Sequence, residues 1–434
     1  MRKKLLVVLL VLVAVMMFAF ANGQEENNKE ELSVWTGYPE MEPFYQHVSE
    51  QFKETHPNVE ITLVSHPLRE FEQKLSATIP ADTVGDIIEV STYAVKKFVD
   101  AGMIPENPKD VVDFMTAPGR FSDFVLSNEH YGDKYFGLPQ FLGRTALFYN
   151  KDMFKAAGIE NPPTTFDEMY EDAKKLAKYD DNNKLTLSGH SLRLSGSGSG
   201  LGEKFWFVLF PMGGSILEEG ATEGTYHAGY NNDAGFNAVR YYLDAVHKDN
   251  WDSPEIKHDA EAFELGLTAM FFRESWVIGD AAQKVPDLNY GTAFVPSAAR
   301  WGRITNIENL YVTRASKNPE LAWEFAKLCL SPENQTWMLD NIGWLPSRTD
   351  VDFSASIAKT PQLAAFIDSP EGYDEFGYIP ISCFDELLTK FSERLSSAYL
   401  NAKLDTDDAA LRKWLADAAK ETNEILRKAE VFGE

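Results

Sequence analysis

Aromatic side chains are the first candidates for chemistry in this sequence, which has 9 Trp, 17 Tyr and 29 Phe among its 434 residues. Three of them form the run Phe205, Trp206 and Phe207, and others stand beside polar side chains. A sugar ring has C–H groups on its faces and hydroxyls around its edge, so its site needs aromatic rings flanked by planar hydrogen-bonding groups. The sequence therefore contains the residue types of a carbohydrate-binding site.

Phosphate and metal sites find no support in the residue spacing. The segment 195–202, SGSGSGLG, lacks the GxGxxG pattern because Leu201 occupies the third glycine position, and no GKS or GKT follows it. It is predicted to be a mobile loop placed to cover a ligand. With no HExxH motif and only Cys329 and Cys383, which are predicted to be buried free thiols rather than a disulfide, we expect no metal and no cofactor.

Length and charge limit the class of protein further. The chain is longer than one hydrophobic core usually holds, so two lobes are expected. Its formal charge of −25 repels phosphate backbones and anionic lipids, which makes nucleic acid an unsuitable partner. The simplest interpretation of this acidity is solubility.

The N-terminus has the pattern of a cleavable signal peptide. The segment from Met1 to Lys4 carries three positive charges, Leu5 to Phe18 are all apolar, and Ala19-Phe20-Ala21 is a small-x-small site. Cleavage after Ala21 would leave a polar, flexible leader over residues 22–31. No cysteine near the site could carry a lipid, so we expect a free periplasmic protein, with an uncleaved membrane anchor as the alternative.

Strands alternate with helices in the first part of the mature chain. Buried strands are predicted at residues 32–35, 59–63 and 86–90, and helices at 43–56 and 71–79 and before Gly102. Such alternation is typical of a parallel sheet covered on both faces, and hence of an α/β fold. Ligands of open α/β sheets bind beyond the carboxyl ends of the strands, which selects Trp35, Tyr38, Arg69 and Tyr93 as site residues.

A second set of elements is predicted from about Arg144 onward. The strand-like residues 145–149 precede a short helix ending at Gly158, and Thr165 with Glu168 forms a capping box for the next helix. Asn318-Pro319 and Ser331-Pro332 open further helices, and residues 407–431 are predicted to form the last one.

Five segments, in order, resemble the sugar-binding class of bacterial extracellular solute-binding proteins, the family that includes the maltose-binding protein. They are YFGLP with LFYNKD at 135–152, PPTTFDE at 162–168, GLTAM to Trp276, SKNPELAWEF at 316–325, and GWLP at 343–346. The resemblance implies the two-lobed type II periplasmic-binding-protein fold, in which each lobe has a mostly parallel sheet with helices on both faces. Residues 32–142 plus 310–345 would form lobe 1, and residues 143–309 plus 346–434 lobe 2, joined by hinge crossings.

The resemblance also implies further site residues and partners. Trp276 and Trp344 would be the main aromatic platforms and Trp206 a third, whereas Gln140 and Arg144 at the first crossing and Glu308 near the second would face the hinge side of the cleft. The protein would be a monomer that captures a carbohydrate, with an oligosaccharide expected, and delivers it to the permease subunits of an ABC importer. Trp323, Trp337 and Trp414 are assigned to the core instead.

The sequence is compatible with three alternatives to the import of a neutral sugar. Arg69 and Arg144 together would suit a sugar that carries a carboxylate, which a guanidinium binds bidentately. The same fold could bind a non-sugar solute for signalling. A secreted carbohydrate-active enzyme is the third alternative, but no pair of carboxylates and no GxSxG motif is singled out. The eight histidines are scattered in polar segments and are expected mostly at the surface: His47, His56, His66, His130, His190, His227, His247 and His258.

Overall fold

The computed structural model describes residues 30–196, 198–257 and 259–434. The predicted signal peptide and residues 22–29 of the predicted leader lie outside these residues. Glu30 and Glu31, which the leader prediction included, belong to the first strand and pair with Val59 and Glu60. Within the described ranges, no helix combines the length and the apolar character needed to span a bilayer.

The strands of the described residues form one large mixed sheet and three small hairpins. They are β1 Glu30–Thr36, β2 Val59–Ser65, β3 Ile87–Ser91, β4 His130–Tyr131, β5 Lys134–Tyr135, β6 Leu138–Asn150, β7 Lys178–Tyr179, β8 Leu185–Leu187, β9 Leu217–Glu219, β10 Tyr226–Ala228, β11 Met270–Glu274, β12 Tyr290–Ala293, β13 Gly302–Val312, β14 Leu345–Pro346 and β15 Asp374–Gly377. The large sheet has the order β11-β6-β13-β3-β1-β2, with β12 and β14 also paired to β6 and β15 paired to β13.

Helices cover the sheet and form most of the C-terminal part of the chain. They are α1 Glu42–Thr55, α2 Leu68–Thr78, α3 Thr92–Asp100, α4 Lys109–Met115, α5 Asp123–Asn128, α6 Lys151–Ala156, α7 Phe166–Leu176, α8 Gly200–Leu209, α9 Asp233–Leu243, α10 Asp259–Glu264, α11 Trp276–Lys284, α12 Pro319–Cys329, α13 Pro332–Asn341, α14 Ser354–Lys359, α15 Ala364–Ile367, α16 Phe384–Tyr399, α17 Ala402–Thr406 and α18 Asp408–Lys428.

The first three strands follow the predicted α/β pattern. Strands β2, β1 and β3 are parallel, with Val34 opposite both Leu63 and Ile87. Every residue of β3 is buried, as expected for a strand covered on both faces. The α/β prediction is therefore confirmed for this part of the chain, and the carboxyl ends of the three strands lie at one edge of the sheet.

Two long antiparallel strands connect this group with the rest of the sheet. The first half of β6 pairs with β13, and its second half pairs with β11 and β12. Likewise β13 pairs with β3 over Glu308–Val312 and with β15 over Gly302–Thr305. The sequence predicted a strand only from residue 145, because the first half of β6 is buried at every position and shows no alternation.

Local helix signals are mostly confirmed. The capping box of α7 is present, since the Thr165 hydroxyl accepts from the Glu168 backbone N–H and the Glu168 carboxylate accepts from the Thr165 N–H. Ser331 caps α13 with a single bond, since its hydroxyl accepts from the Asn334 backbone N–H. Asn318 instead donates from its side chain to Glu30, so α12 starts at its proline without a side-chain cap.

The glycine-rich segment 195–202 was predicted to be a loop, but only part of it is one. Its last three residues form the first turn of α8 and are buried. Gly202 donates its backbone N–H to Ser392 Oγ at 2.8 Å, and a Cβ at this position would lie 2.9 Å from the Leu388 carbonyl oxygen. The missing side chain therefore allows α8 to pack closely against α16.

His190 departs from the surface placement expected of most histidines, because it is fully buried. Its ring stacks on Trp251 at 5.9 Å between ring centres, and Nδ1 lies 3.2 Å from the Tyr241 hydroxyl. Burial lowers the pKa of His190 to about 3, so the ring is neutral in the folded protein.

Buried apolar side chains form three clusters around the sheet. The first contains α7, α8, α9, α16 and α18. The second packs α1, α12 and α13, and the third α2 and α3, against β1, β3 and β13. Trp323 is buried, and Trp337 and Trp414 are half-buried against these clusters, which confirms their assignment to the core. Cys329 and Cys383 are buried free thiols, as expected.

Candidate functional site

One cavity, with a volume of about 410 Å³, lies where the ends of β1, β2 and β3 face α8 and β11. Its size is in the range of pockets that hold small ligands. It is lined by Gly37, Tyr38, Pro39, Glu40, Pro67, Leu68, Arg69, Glu70, Tyr93, Gly143, Arg193, Glu203, Arg273, Glu274, Trp276, Asn306, Glu308, Trp344 and Tyr378.

The first wall of the cavity is built by residues that follow parallel strands. Tyr38 comes after β1, Arg69 after β2, and Tyr93 after β3, so all three lie at the same edge of the sheet. Tyr93 is buried and stacks on Tyr378 from the other side of the cavity, with ring centres 5.2 Å apart. We call the selection of residues beyond the carboxyl ends of strands the strand-end rule. Three of the four residues that it selected therefore lie in one wall of the cavity.

Two tryptophans contribute aromatic surface: Trp344 packs against Tyr38 of the first wall, and Trp276 lies beside Arg273, on the part of the cavity that we call the tryptophan side. Trp276 is the first residue of α11, and the Arg273 guanidinium lies 5.2 Å from its ring centre. Trp344 is 4 % exposed and meets Tyr38 edge to face at 5.8 Å. Its indole Nε1 donates to Glu40 Oε1 at 3.3 Å, which fixes the orientation of both side chains.

The crossing strands supply the polar floor. Glu308 of β13 is 1 % exposed and its carboxylate accepts a hydrogen bond from the Asn306 side-chain amide. Its second oxygen, Oε2, is buried without a hydrogen-bond partner among the described residues. Burial raises the pKa of Glu308 well above its ordinary value, and burial likewise raises the pKa of Glu40.

Arg69 bridges the cavity. Its Nη2 donates to Glu203 Oε1 of α8 at 2.7 Å, and its Nη1 donates to Glu72 Oε2 of its own helix at 2.9 Å. Asp385, at the start of α16, lies 3.7 Å away. Although burial opposes the charged form, Glu203, Tyr93 and Glu72 raise the pKa of Arg69 well above its ordinary value.

A second charged network lies beneath the tryptophan side. Arg273 Nη1 is 3.0 Å from Glu274 Oε2 and its Nε is 3.4 Å from Asp259 Oδ1. Asp259 also pairs with Arg193, and Glu274 Oε1 accepts from Lys204 Nζ at 3.2 Å. Burial lowers the pKa of Lys204 to about 8, whereas the surrounding cations lower the pKa of Asp259 and Glu274 against the effect of burial.

Six of the ten predicted site residues line the cavity: Tyr38, Arg69, Tyr93, Trp276, Glu308 and Trp344. Trp206 does not, because it is 1 % exposed and packs against Tyr378 and Phe384 behind the cavity wall. Its neighbours in α8 are buried all round the helix, so an aromatic run there indicated core rather than ligand contact.

The other three predicted residues point elsewhere. Gln140 is fully buried and its Nε2 lies 3.9 Å from Met338 Sδ. Arg144 points away from the cavity, because successive residues of a strand face opposite sides and its neighbour Gly143 is on the cavity side. Its guanidinium instead binds both oxygens of Glu375, at 2.6 and 3.1 Å.

Trp35 lies within β1 rather than after it. Its half-buried ring packs on Gly85, where a Cβ would come within 2.4 Å, and the Lys74 ammonium stands 4.6 Å from the ring centre. The strand-end rule therefore applied to Tyr38 but not to Trp35.

Several lining residues were not selected from the sequence. Arg273 and Glu274 end strand β11, so the strand-end rule would have found them had this strand been placed. Tyr378 directly follows β15, so the same rule would have found it as well. Arg193 and Glu203 lie outside strand ends, and no local pattern distinguishes them from surface residues. Among the described residues, no three His, Cys, Asp or Glu side chains come together as metal ligands.

Comparison with known proteins places these features in one family. The sequence model described as "Bacterial extracellular solute-binding protein" matches residues 36–336. A binding protein of Brucella abortus is 25% identical over 415 residues, covering 94% of both chains, and the arabinooligosaccharide-binding protein of Bacillus subtilis is 24% identical over 402 residues, covering 85% of this chain and 86% of the relative.

Solved structures show the same fold. The crystal structure of an ABC transporter solute-binding protein from Thermotoga lettingae, bound with α-D-tagatose, has a TM-score of 0.77 at 21% identity. The match covers 92% of this chain and all of that chain, 100%. The predicted two-lobed type II fold is therefore confirmed.

Proposed function

This chain belongs to the bacterial extracellular solute-binding proteins, and we propose that it binds an oligosaccharide between its two lobes and delivers it to the permease subunits of an ABC importer. The single observation that carries the choice of ligand is the pairing of Trp276 and Trp344 with buried hydrogen-bonding groups in one cavity of about 410 Å³. Aromatic rings suit the C–H faces of a sugar, and carboxylates and guanidinium groups suit its hydroxyls. The names of the relatives support this choice, since one is an arabinooligosaccharide-binding protein and one structure holds tagatose.

The six predicted residues that line the cavity form the proposed binding site. Trp276 and Trp344 stack on the ligand, and Tyr38, Arg69, Tyr93 and Glu308 bind its edge. To these we add four lining residues: Glu40, Arg273, Glu274 and Asn306. Micromolar binding needs about −8 kcal/mol, which a few stacked rings and desolvated hydrogen bonds can supply.

The proposed mechanism is closure of the lobes about β6 and β13. We propose residues 32–142 plus 310–345 as lobe 1 and residues 143–309 plus 346–434 as lobe 2. This division is supported by the two strands, each of which pairs with different neighbours along its two halves. Ligand contacts made from both walls offset the free energy that the closed state costs.

The proposal includes an exported, monomeric protein that leaves its ligand chemically unchanged. The N-terminal charge, apolar run and Ala-Phe-Ala site support removal of residues 1–21 and residence in the periplasm. Membership of a family of binding proteins supports a role without catalysis.

Calorimetric titration of the mature protein with arabinotriose, maltotriose, galactobiose and diacetylchitobiose tests this function. At least one sugar should bind with a micromolar or lower Kd, and chromatography should recover it intact. Trp276→Ala and Trp344→Ala should each weaken binding at least about tenfold through the loss of a stacked ring. Trp414→Phe, in α18 and outside the cavity lining, is the matched control and should bind as the wild type does. Unchanged binding in both cavity variants would refute the site.

A further inference from the structure

The cations that line the cavity are already bonded to carboxylates of this chain. Arg69 uses Nη1 for Glu72 and Nη2 for Glu203. A guanidinium has five N–H donors, and these bonds use N–H groups of both Nη atoms. A ligand carboxylate that approached the remaining donors would lie beside Glu72 and Glu203, which already neutralise the charge of Arg69.

The same is true on the tryptophan side. Arg273 pairs with Glu274 at 3.0 Å and with Asp259 at 3.4 Å, and Arg193 pairs with Asp259. Lys204, behind the wall and 7 % exposed, pairs with Glu274 at 3.2 Å. An anion entering here would meet these carboxylates in a site of low dielectric, where repulsion between like charges is strong.

Besides the exposed Glu70, two lining carboxylates are in the opposite position. Among the described residues, neither Glu40 nor Glu308 forms an ion pair; Glu40 accepts from the Trp344 indole and Glu308 from the Asn306 amide. The Glu308 Oε2 atom is buried with no partner in the same part of the chain. Glu40 and Glu308 are therefore lining groups that no opposite charge of the described residues engages, and as acceptors they match hydroxyl groups.

We propose that this cavity discriminates against anionic ligands, and that Glu203, Glu274 and Asp259 determine this specificity by occupying the arginines that line it. The inference rests on the proposed function and names the class of carbohydrate within it, an uncharged one. It opposes the expectation that Arg69 and Arg144 hold a sugar carboxylate, since Arg144 is bound to Glu375 outside the cavity.

Glu274→Gln is the informative variant, because glutamine keeps the shape of the side chain but cannot neutralise Arg273 or Lys204. Glu375→Gln is the matched control: it removes the same charge from an arginine pair that does not line the cavity. Each variant is first checked for folding by circular dichroism and thermal unfolding. If Glu274→Gln does not fold, Glu203→Gln frees Arg69 in the same way.

The measurement is the ratio of Kd values for anionic and neutral probes at low salt. The neutral probes are galactobiose, maltotriose and arabinotriose, and the anionic probes are digalacturonate and trigalacturonate. In the wild type the anionic probes should bind at least about tenfold more weakly than the best neutral probe, and Glu274→Gln should reduce this ratio about tenfold, as expected for one charge-assisted hydrogen bond. Glu375→Gln should leave the ratio unchanged.

The failures can be told apart. Equal or tighter binding of a galacturonate by the wild type overturns this inference and leaves the proposed function intact. An unchanged ratio in Glu274→Gln, or an equal change in Glu375→Gln, overturns the role assigned to the carboxylates. Binding of no sugar of either kind overturns the proposed function and, with it, this inference.

Discussion

Arg69 and Glu203 join the two sides of the cavity, with Nη2 2.7 Å from Oε1. Arg69 lies in α2, whose Phe71 and Leu75 belong to one hydrophobic cluster, and Glu203 lies in α8, whose Phe205 belongs to another. Their bond therefore contributes to the relative position of these two clusters, which lie in the two proposed lobes, in addition to engaging donors of the arginine.

This bond predicts coupling between the two residues in ligand binding. Arg69→Met and Glu203→Gln should each raise the Kd of the neutral ligand, and the double variant should lose less than the sum, with a coupling free energy of about 1–3 kcal/mol. Small-angle X-ray scattering should show a more open ligand-free protein in each. The pair Arg69 and Glu72 lies within one helix, so Glu72→Gln should not alter the scattering. Additive losses for Arg69 and Glu203 would contradict the bridging role.

We expect substitution of Glu89, in β3, by glutamine to stabilise the protein in a pH-dependent manner. Burial raises its pKa to about 8, and it accepts from the Tyr45 hydroxyl at 2.6 Å. Above about pH 4.5 the carboxyl ionises in the unfolded chain but stays protonated in the folded one, which favours the unfolded chain. The wild type therefore has its full stability below about pH 4.5 and loses part of it as the pH rises toward 8. Glu89→Gln should unfold with a free energy up to about 3 kcal/mol higher than the wild type at pH 7.

Denaturant titrations at pH 4.5 and pH 7 measure this difference. The gain for Glu89→Gln should disappear at the lower pH. Glu54→Gln, on the exposed side of α1, is the control and should show no difference that depends on pH. A gain of equal size at both pH values would show that the effect is not ionisation of Glu89.

Gly202 predicts a stability change whose sign is diagnostic. In an exposed helix, replacing glycine with alanine stabilises by about 1 kcal/mol. Here the new Cβ would lie 2.9 Å from the Leu388 carbonyl and 3.0 Å from Ser392 Oγ, so Gly202→Ala should destabilise by about 1–3 kcal/mol through overpacking. Thermal unfolding decides, because a higher Tm would mean that α8 and α16 are not in close contact.

Arg144 predicts a loss of stability without a loss of affinity. Arg144→Met removes the partner of Glu375, which retains contacts with Arg303 and Thr305, and should cost about 1–2 kcal/mol of unfolding free energy. The Kd of a neutral sugar, measured well below the Tm, should stay within a factor of about two. A tenfold weaker Kd would instead place Arg144 in the site.

Sequence patterns located the part of the site that depends on local rules. Tyr38, Arg69 and Tyr93 follow three short strands that the sequence located, so the strand-end rule placed them at one edge of the sheet. Gln140 and Arg144 lie in a strand that is buried almost throughout, where no alternation reveals which side chains face the cavity. Direction along such a strand is settled only by pairing.

Local sequence patterns also do not predict which residues far apart in the chain pair with each other. The bond between Arg69 and Glu203 joins residues 134 positions apart, and that between Arg193 and Asp259 joins residues 66 apart. Nothing in either neighbourhood indicates its partner. The functional meaning of the arginines therefore changed once their carboxylates were located.

The position of β13 between β6 and β3 also concerns how the chain folds. A growing chain that has not yet reached Val312 lacks the strand that joins Ile87–Ser91 to the first half of β6. Contacts between segments so far apart form slowly, because a long loop must close before they contribute. The protein therefore cannot complete the sheet around β3 during early synthesis, and this delay would suit the export proposed above, in which an unfolded chain crosses the membrane.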